Sequence, residues 1–292
     1  MAALEKRREA VLKSLEEQGV LTDELGKAVN AASSLPELED IYLPYRPRRR
    51  TRATIAREKG LEPLAERIFQ LKSDDPYNEA LEYINPEKGV ETAEEAVSGA
   101  RDIIAEWVSE NASARRLMRR LFFQEGIIES RVTKGREEEG LKYSNYFEWQ
   151  ETVKKAPSHR VLAMLRGENE GFLKIKIQPP EQKALSLLRS LFIRGSGLAC
   201  EQVDIAIRDS YSRLLAPSIE TDIRNLVKER SDEEALKVFA RNLRNTLMAP
   251  PLGQHSVLAV DPGYRTGCKL AALNRQGELL SDAVIYIGRA ER

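Results

Sequence analysis

The side chains with the clearest chemical potential form a dense arginine cluster in the first fifth of the chain. Between Arg46 and Lys59 lie seven basic residues and one acid, Glu58. A guanidinium fork can donate two parallel hydrogen bonds to one phosphate, and Tyr42 and Tyr45 precede the cluster as possible stacking platforms for bases. The cluster therefore predicts a nucleic-acid contact through these candidates: Arg46, Arg48, Arg49, Arg50, Arg52 and Arg57. The alternative is a basic arm that pairs with acidic neighbours inside a larger fold.

A second arginine cluster falls on a predicted helix at 113–124. Its members form two pairs four positions apart: Arg115, Arg116, Arg119 and Arg120. Because residues four apart share a helix face, they make a basic stripe. Such a stripe can face a phosphate backbone, but it is more typical of a helix face in water. We predict the solvated face.

A single carboxylate ends an apolar run near the C-terminus. VLAVD places Asp261 at the end of a predicted strand, before a Pro-Gly turn. Nucleases with an RNase H-like fold hold Mg²⁺ with an acid in that position, but two metal ions need three or four converging acids. Neither Glu278, at a turn, nor Asp282, in mid-strand, is a credible partner by position. We predict a turn-forming Asp261 and no catalytic or metal-binding residue.

The composition excludes several classes of protein. Basic and acidic residues balance at 46 each among 292 residues, so attraction to a polyanion must come from local clusters. Two cysteines and two histidines cannot build a disulfide framework or a zinc site. The charged N-terminus is unlike a secretory signal, and no apolar run approaches the ~18 residues that span a bilayer. We expect a cytoplasmic protein with no cofactor, no membrane contact and no small-molecule substrate.

Two hydrophobic periods organise the elements that carry these clusters. Before Pro250 the spacing of apolar residues is mostly helical, as at 4–18, 22–32 and 92–109. One short strand is predicted at 172–177, and 127–149 shows no readable period. Further helices are predicted at 184–193, 200–215, 219–231 and 232–247. After Ala249-Pro250-Pro251 the runs SVLAVDPG, TGCKLAALN and ELLSDAVIY alternate like strands, the last two joined by a turn at 274–277. The change of period predicts a domain boundary near Pro250.

Several long runs, in the same order, resemble one family. They are LEDIYLPYRPRRRTRATIAREKGLEPLA, TKGREEEGLKYSNYF, PSHRVLAMLRGENEGFLKIKI and LAVDPGYRTGCKLAALNRQGELLSDAVIY. Together they resemble the Tex family of transcription accessory proteins over about residues 4–286. The resemblance implies a mainly α chain: a multi-helical N-terminal region over 1–250, with helix-turn-helix character and one short β element. It also implies the first strands of a YqgF (RuvC-like, RNase H-like) α/β domain over 255–292.

The resemblance also implies a function. Tex proteins are nucleic-acid-binding factors of transcription in which helix-hairpin-helix modules and an S1 RNA-binding domain follow the YqgF domain. Compared with that pattern, the chain starts late and its last six residues depart from the family's continuation, so we predict truncation at both ends. We expect a non-catalytic scaffold that binds RNA or DNA non-specifically through the arginine cluster. The alternatives are a metal-dependent nuclease that uses Asp261 and an interaction module that docks on RNA polymerase or the ribosome.

Overall fold

The computed structural model describes residues 2–46, 50–250, 253–263 and 266–286. The chain divides into two compact units, Met1–Ala235 and Leu236–Arg292. The first unit is mainly helical and includes one small sheet, and the second contains the end of a long helix and another small sheet. This arrangement confirms the mainly α fold expected from the sequence. Within the described ranges, no helix is long and apolar enough to cross a membrane.

The helices follow one another through most of the chain. They are α1 (Ala2–Glu17), α2 (Asp23–Ala31), α3 (Leu35–Tyr42), α4 (Arg52–Glu58), α5 (Glu62–Phe69), α6 (Pro76–Ala80), α7 (Ala93–Glu110), α8 (Ala112–Glu125), α9 (Ser158–Asn169), α10 (Glu181–Phe192), α11 (Leu198–Asp209) and α12 (Ala216–Leu247). The strands are β1 (Ile127–Val132), β2 (Glu148–Thr152), β3 (Leu173–Gln178), β4 (Val257–Asp261), β5 (Cys268–Leu273) and β6 (Leu279–Ile285). A π-helical turn, Ser210–Leu215, joins α11 to α12.

Short-range capping contacts begin the helices where the sequence indicates. The Thr22 hydroxyl accepts a hydrogen bond from the Leu25 backbone N–H at the start of α2. At the start of α7, Thr92 and Glu95 form a reciprocal capping box. Asn111 both ends α7 and caps α8. The chain therefore turns from α7 into α8 at one residue, which fixes the direction in which α8 presents its arginines.

The first unit contains two separate hydrophobic cores. The smaller core is formed by buried residues of α1, α2, α3 and the connection after α2: Val11, Leu15, Val29, Ala32, Leu38 and Tyr42. The larger core draws on residues between Ala53 and Val227 and includes the first sheet. We call residues 2–45 the cap and residues 53–235 the body. The arm, residues 46–52, connects the two, and its positions 47–49 lie outside the described residues.

The first sheet is antiparallel with the strand order β2-β1-β3. In β3 the predicted alternation is confirmed: Leu173, Ile175 and Ile177 are buried, and the lysines between them are exposed. The strands β1 and β2 were not predicted, because the buried face of β1 consists of one Ile and one Ser. The buried serine is Ser130. Its hydroxyl donates a hydrogen bond to the Tyr146 carbonyl at 2.8 Å, which stabilises its burial. Periodicity of apolar residues cannot detect such a strand.

The helix α12 runs without interruption from Ala216 to Leu247, so the predicted break between 231 and 232 was wrong. In the structure Lys228 Nζ contacts Asp232 Oδ2 at 2.7 Å, an i, i+4 ion pair that spans the supposed break. The predicted single helix at 200–215 was also wrong in part, because its last six residues form the π-helical turn.

The sheet of the second unit is antiparallel with the order β4-β5-β6. The predicted hairpin turn is present: Asn274 Oδ1 accepts hydrogen bonds from the backbone N–H groups of Gln276 and Glu278. Gly277 has a φ of +86°, a conformation that favours glycine. Three consecutive antiparallel strands fit the expected start of an RNase H-like domain.

Candidate nucleic-acid interface

The arm follows the cap and leads into the body, and three of its four described residues are exposed. Arg46 follows the short 3-10 turn that ends the cap, and Arg50 and Arg52 flank Thr51, the N-cap of α4. Side chains of Arg46, Arg50 and Arg52 are all exposed. The other two arm candidates, Arg48 and Arg49, lie outside the described residues.

Within the described residues the exposed arm arginines have few partners. Arg50 Nη2 contacts Glu58 Oε2 at 2.5 Å, with both side chains at least half exposed. Exposed ion pairs contribute about 0.2–1 kcal/mol, so a phosphate can replace this carboxylate at little cost. Among the described side chains, neither Arg46 nor Arg52 forms an ion pair. Arg52 does lie near Asp102: burial raises the pKa of that carboxyl, and the Arg213 and Arg52 charges oppose the rise.

Arg57, the last candidate of the cluster, points toward the body. Its Nη1 contacts Glu106 Oε2 at 2.7 Å and its Nε contacts Glu62 Oε1 at 3.1 Å. Glu106 is buried on α7. Arg57 thus holds α4 against α7, which is the internal pairing that the sequence left open as the alternative for this segment.

The tyrosines before the arm belong to the cap. Tyr42 is buried in the cap core, and its hydroxyl forms a hydrogen bond with Ser14 at 2.8 Å. Tyr45 packs partly against the same core. The expectation that Tyr42 offers a stacking face was wrong, because the Tyr42 ring is buried in the cap core. The exposed chemistry of the arm is therefore that of guanidinium groups.

The second arginine cluster divides into two faces of α8. Arg115 and Arg119 turn inward, with 8% and 18% of their side chains exposed, while Arg116 and Arg120 are exposed. Arg115 Nε contacts Asp40 Oδ1 at 2.6 Å, and Arg119 also pairs with Asp40. Both arginines also reach Asp222 Oδ2, at 3.4 and 3.1 Å. The predicted solvated stripe was wrong for this pair, because acids from α3 and α12 meet it.

Asp261 occupies the end of β4, opposite Lys269 on β5. Asp282 lies opposite Ala271, two residues further along β5. Directly opposed residues share a face of an antiparallel pair, so both carboxylates lie on one face, with β5 between them. Their backbones are therefore separated by two strand spacings, roughly 10 Å. Over the ranges that the structure describes, no group of three or more acids, histidines or cysteines could hold a metal ion.

Two family models match the chain. Residues 72–239, more than half of its length, match a model described as Tex central region-like. Residues 255–292 match the Tex protein YqgF-like domain. The second match begins just before β4, so it covers the sheet whose strand order fits the RNase H-like fold.

Similar proteins occur in bacteria and in animals. The chain is 42% identical over 286 residues to the uncharacterized protein YdcI of Bacillus subtilis, covering 97% of this chain and 40% of YdcI. It is 39% identical over 290 residues to the transcriptional accessory protein Tex of Neisseria gonorrhoeae, covering 97% of this chain and 38% of that protein. It is 25% identical over 302 residues to human S1 RNA-binding domain-containing protein 1, covering 98% of this chain and 30% of that protein.

The chain thus spans about two fifths of the length of these bacterial relatives. The resemblance inferred from the ordered sequence runs is confirmed by these comparisons. With more than half of its residues matched by a Tex-specific model, this chain belongs to the Tex family.

Proposed function

We propose that this chain is the part of a transcription accessory factor that contacts nucleic acid through the arm, and that it serves as a scaffold and not as a catalyst. One observation carries the proposal: three exposed arginines, Arg46, Arg50 and Arg52, lie close together in the chain on the arm. Family membership supports it, since one relative is named a transcriptional accessory protein and another is named for an S1 RNA-binding domain.

The chemistry of the arm favours contacts with phosphates over contacts with bases. Guanidinium forks match phosphate oxygens, and contacts with the backbone carry no sequence information. Tyr42 is buried, and Tyr45 packs partly against the cap core, so neither tyrosine presents a fully exposed ring for base stacking. We therefore propose non-specific binding to RNA or DNA by a helical domain at 1–250, with the YqgF-like strands of 255–292 following it in the cytoplasmic protein.

The separation of the acids in the second unit supports the proposed scaffold role. Asp261 and Asp282 share a sheet face, but their strands are not neighbours. Two-metal phosphodiester chemistry needs carboxylates close enough to bridge both ions. We propose that Asp261 ends its strand as a turn residue. Mg²⁺-dependent cleavage of a single-stranded or branched substrate that disappears in Asp261→Asn would contradict this.

A protein-interaction module that docks on RNA polymerase or the ribosome is the second candidate function. One feature favours it: the last three turns of α12 carry exposed apolar side chains at helical spacing, Leu236, Phe239, Leu243 and Leu247. Apolar docking depends weakly on salt, whereas phosphate contacts release counterions and weaken steeply with salt. Salt dependence therefore separates the two functions.

The test measures the affinity for a fluorescein-labelled single-stranded RNA at several salt concentrations. Each lost phosphate contact reduces the slope of log K against log salt by about 0.7 on single strands. We expect the slope to flatten by up to about 2 in the Arg46/Arg50/Arg52→Ala variant. The matched control removes three exposed arginines of other elements, Arg67, Arg131 and Arg194. Equal slopes in the two variants would contradict a role for the arm.

A further inference from the structure

The cap has its own hydrophobic core, so it does not need the body's core to bury its apolar residues. None of the six residues of the cap core belongs to the larger core. The helix α3 of the cap meets α8 of the body, and the arm is the covalent link between them. The contacts between α3 and α8 therefore determine how firmly these two helices are held together.

A carboxylate of the cap is buried at that surface. Asp40 Oδ1 accepts hydrogen bonds from Arg115 Nε at 2.6 Å and from Arg119 Nη1 at 3.0 Å, and Oδ2 accepts one from Arg119 Nη2. Only 5% of the Asp40 side chain is exposed. Two guanidinium groups that converge on one oxyanion form the same arrangement that binds a phosphate.

Without the cap, this part of the body would carry an excess of positive charge. Arg115 and Arg119 would retain one body carboxylate, Asp222. Arg115 would also retain the Ser218 hydroxyl, to which its Nη2 donates at 3.0 Å. Beside them Arg116 and Arg120 are exposed and form no ion pair with described residues. Arg115 and Arg119, with Arg116 beside Arg119 at the edge of the cleft, would then make a surface for an anion.

The side of the cap that faces α8 is acidic and borders a solvent-open cleft. Glu37, one turn before Asp40, has a lowered pKa, first because Ser33 donates hydrogen bonds to it and further because of the Arg116 and Arg119 charges. A cleft of about 420 Å³ lies between α3 and α8, lined on the cap side by Glu37 and Asp40 and on the body side by Arg116 and Arg119.

We propose that α3 covers an anion-binding face of α8 with carboxylates in the place of phosphates, and that the phosphodiester backbone of a nucleic acid displaces the cap from it. The choice of ligand rests on the proposed function, while the cover itself rests on the contacts between α3 and α8. Binding at the arm brings phosphates to the segment that tethers the cap. Opening the cap then adds the α8 arginines to the contact.

The first test weakens the cover. In Asp40→Asn the carboxylate is lost, so a larger fraction of molecules has an open α8 face. The apparent affinity for a labelled single-stranded oligonucleotide rises in proportion to that open fraction. We expect binding about fivefold tighter or more at fixed salt. The matched control is Glu39→Gln, which removes a charge from the same helix but breaks an ion pair inside the cap, with Arg7 at 2.5 Å. We expect the control to bind like the parent chain.

The second test locks the cover and leaves Asp40 and all four α8 arginines intact. Ile41 and Ala112 line opposite sides of the cleft. Both are replaced by cysteine in a chain whose Cys200 and Cys268 are alanine, and they are joined by a bifunctional maleimide with a reducible spacer. Locking keeps Arg115 and Arg119 covered, so it should lower the affinity below that of the unlocked chain, and reducing the spacer should restore it.

The outcomes separate the cover from the proposed function. If the parent chain binds but Asp40→Asn and the lock leave the affinity unchanged, the cover is overturned and the proposed function stands. If the lock abolishes binding while the arm variant keeps its salt slope, the cover stands and the arm is not the contact. If neither the parent chain nor Asp40→Asn binds any oligonucleotide, both proposals fall. An unfolded Asp40→Asn chain leaves the lock to decide.

Discussion

The two arginine clusters of this chain have similar composition and opposite environments. In the arm, Arg46, Arg50 and Arg52 are exposed, and the ion pair of Arg50 with Glu58 lies in water. On α8, Arg115 and Arg119 form ion pairs with acids of α3 and α12. The difference shows that arginine density does not determine a role. An arginine on a loop keeps its charge available, whereas one on a helix inside a bundle meets whatever the neighbouring helices present.

The largest expected effect is on the free energy of unfolding, when a buried arginine of α8 is removed. Arg115→Ala leaves the Asp40 carboxylate buried with one of its two cations, and breaking a buried pair by removing one partner costs about 3–5 kcal/mol. Urea unfolding should therefore show a loss of that size, whereas Arg120→Ala, on the exposed face of α8, should change stability by less than about 0.5 kcal/mol. Similar losses in both variants would remove the distinction between the faces of α8.

A smaller effect is expected within the first cluster itself. Arg57→Ala removes charged hydrogen bonds to buried Glu106 and to Glu62, and such bonds contribute about 1.5–3 kcal/mol. Arg50→Ala removes only the exposed pair with Glu58 and should cost less than about 1 kcal/mol. Thermal and urea unfolding of the two variants would measure the difference. A destabilised Arg50→Ala would mean that the arm is part of the packed structure.

The junction of the cap and the body should respond to acid more than the arm does. The pKa of Glu37 lies below its ordinary value of 4.5, because of Ser33 hydrogen bonds first and then the Arg116 and Arg119 charges. A lowered folded-state pKa stabilises the fold above the unfolded value, and this contribution is lost as the pH falls from about 4.5 through the folded pKa. In an NMR titration, Arg116→Ala should raise the pKa of Glu37, and Arg50→Ala should leave it unchanged.

The smallest effect is expected from the exposed pair of the arm. Glu58→Gln frees Arg50 from a competing carboxylate, and since such a pair is worth about 0.2–1 kcal/mol, the affinity for single-stranded RNA should rise by at most about fivefold. Fluorescence anisotropy at low salt would detect this change, with Glu66→Gln, an exposed acid of α5, as the control. A weaker affinity in Glu58→Gln would indicate that Glu58 orients Arg50 for the contact.

Local signals in the sequence predicted a large part of the fold. Thr22 and Thr92 mark helix starts because a cap hydrogen bond joins residues three apart. The alternation of β3 and the hairpin turn at Asn274 were predictable for the same reason, since each depends on neighbours in the chain. The strands β1 and β2 were missed because their pairing partners, and not their own periodicity, place them in a sheet.

The sequence by itself determined the family, the mainly α fold and the position of the arginine clusters, because ordered motifs, helical period and charge density are properties of short stretches of chain. It could not decide which arginines remain available. Asp40 and Arg115 lie 75 positions apart, and they meet only because a turn at Asn111 directs α8 against α3. The direction in which a charged side chain points is set by long-range packing, and in this protein that packing separates an open arginine cluster from a covered one.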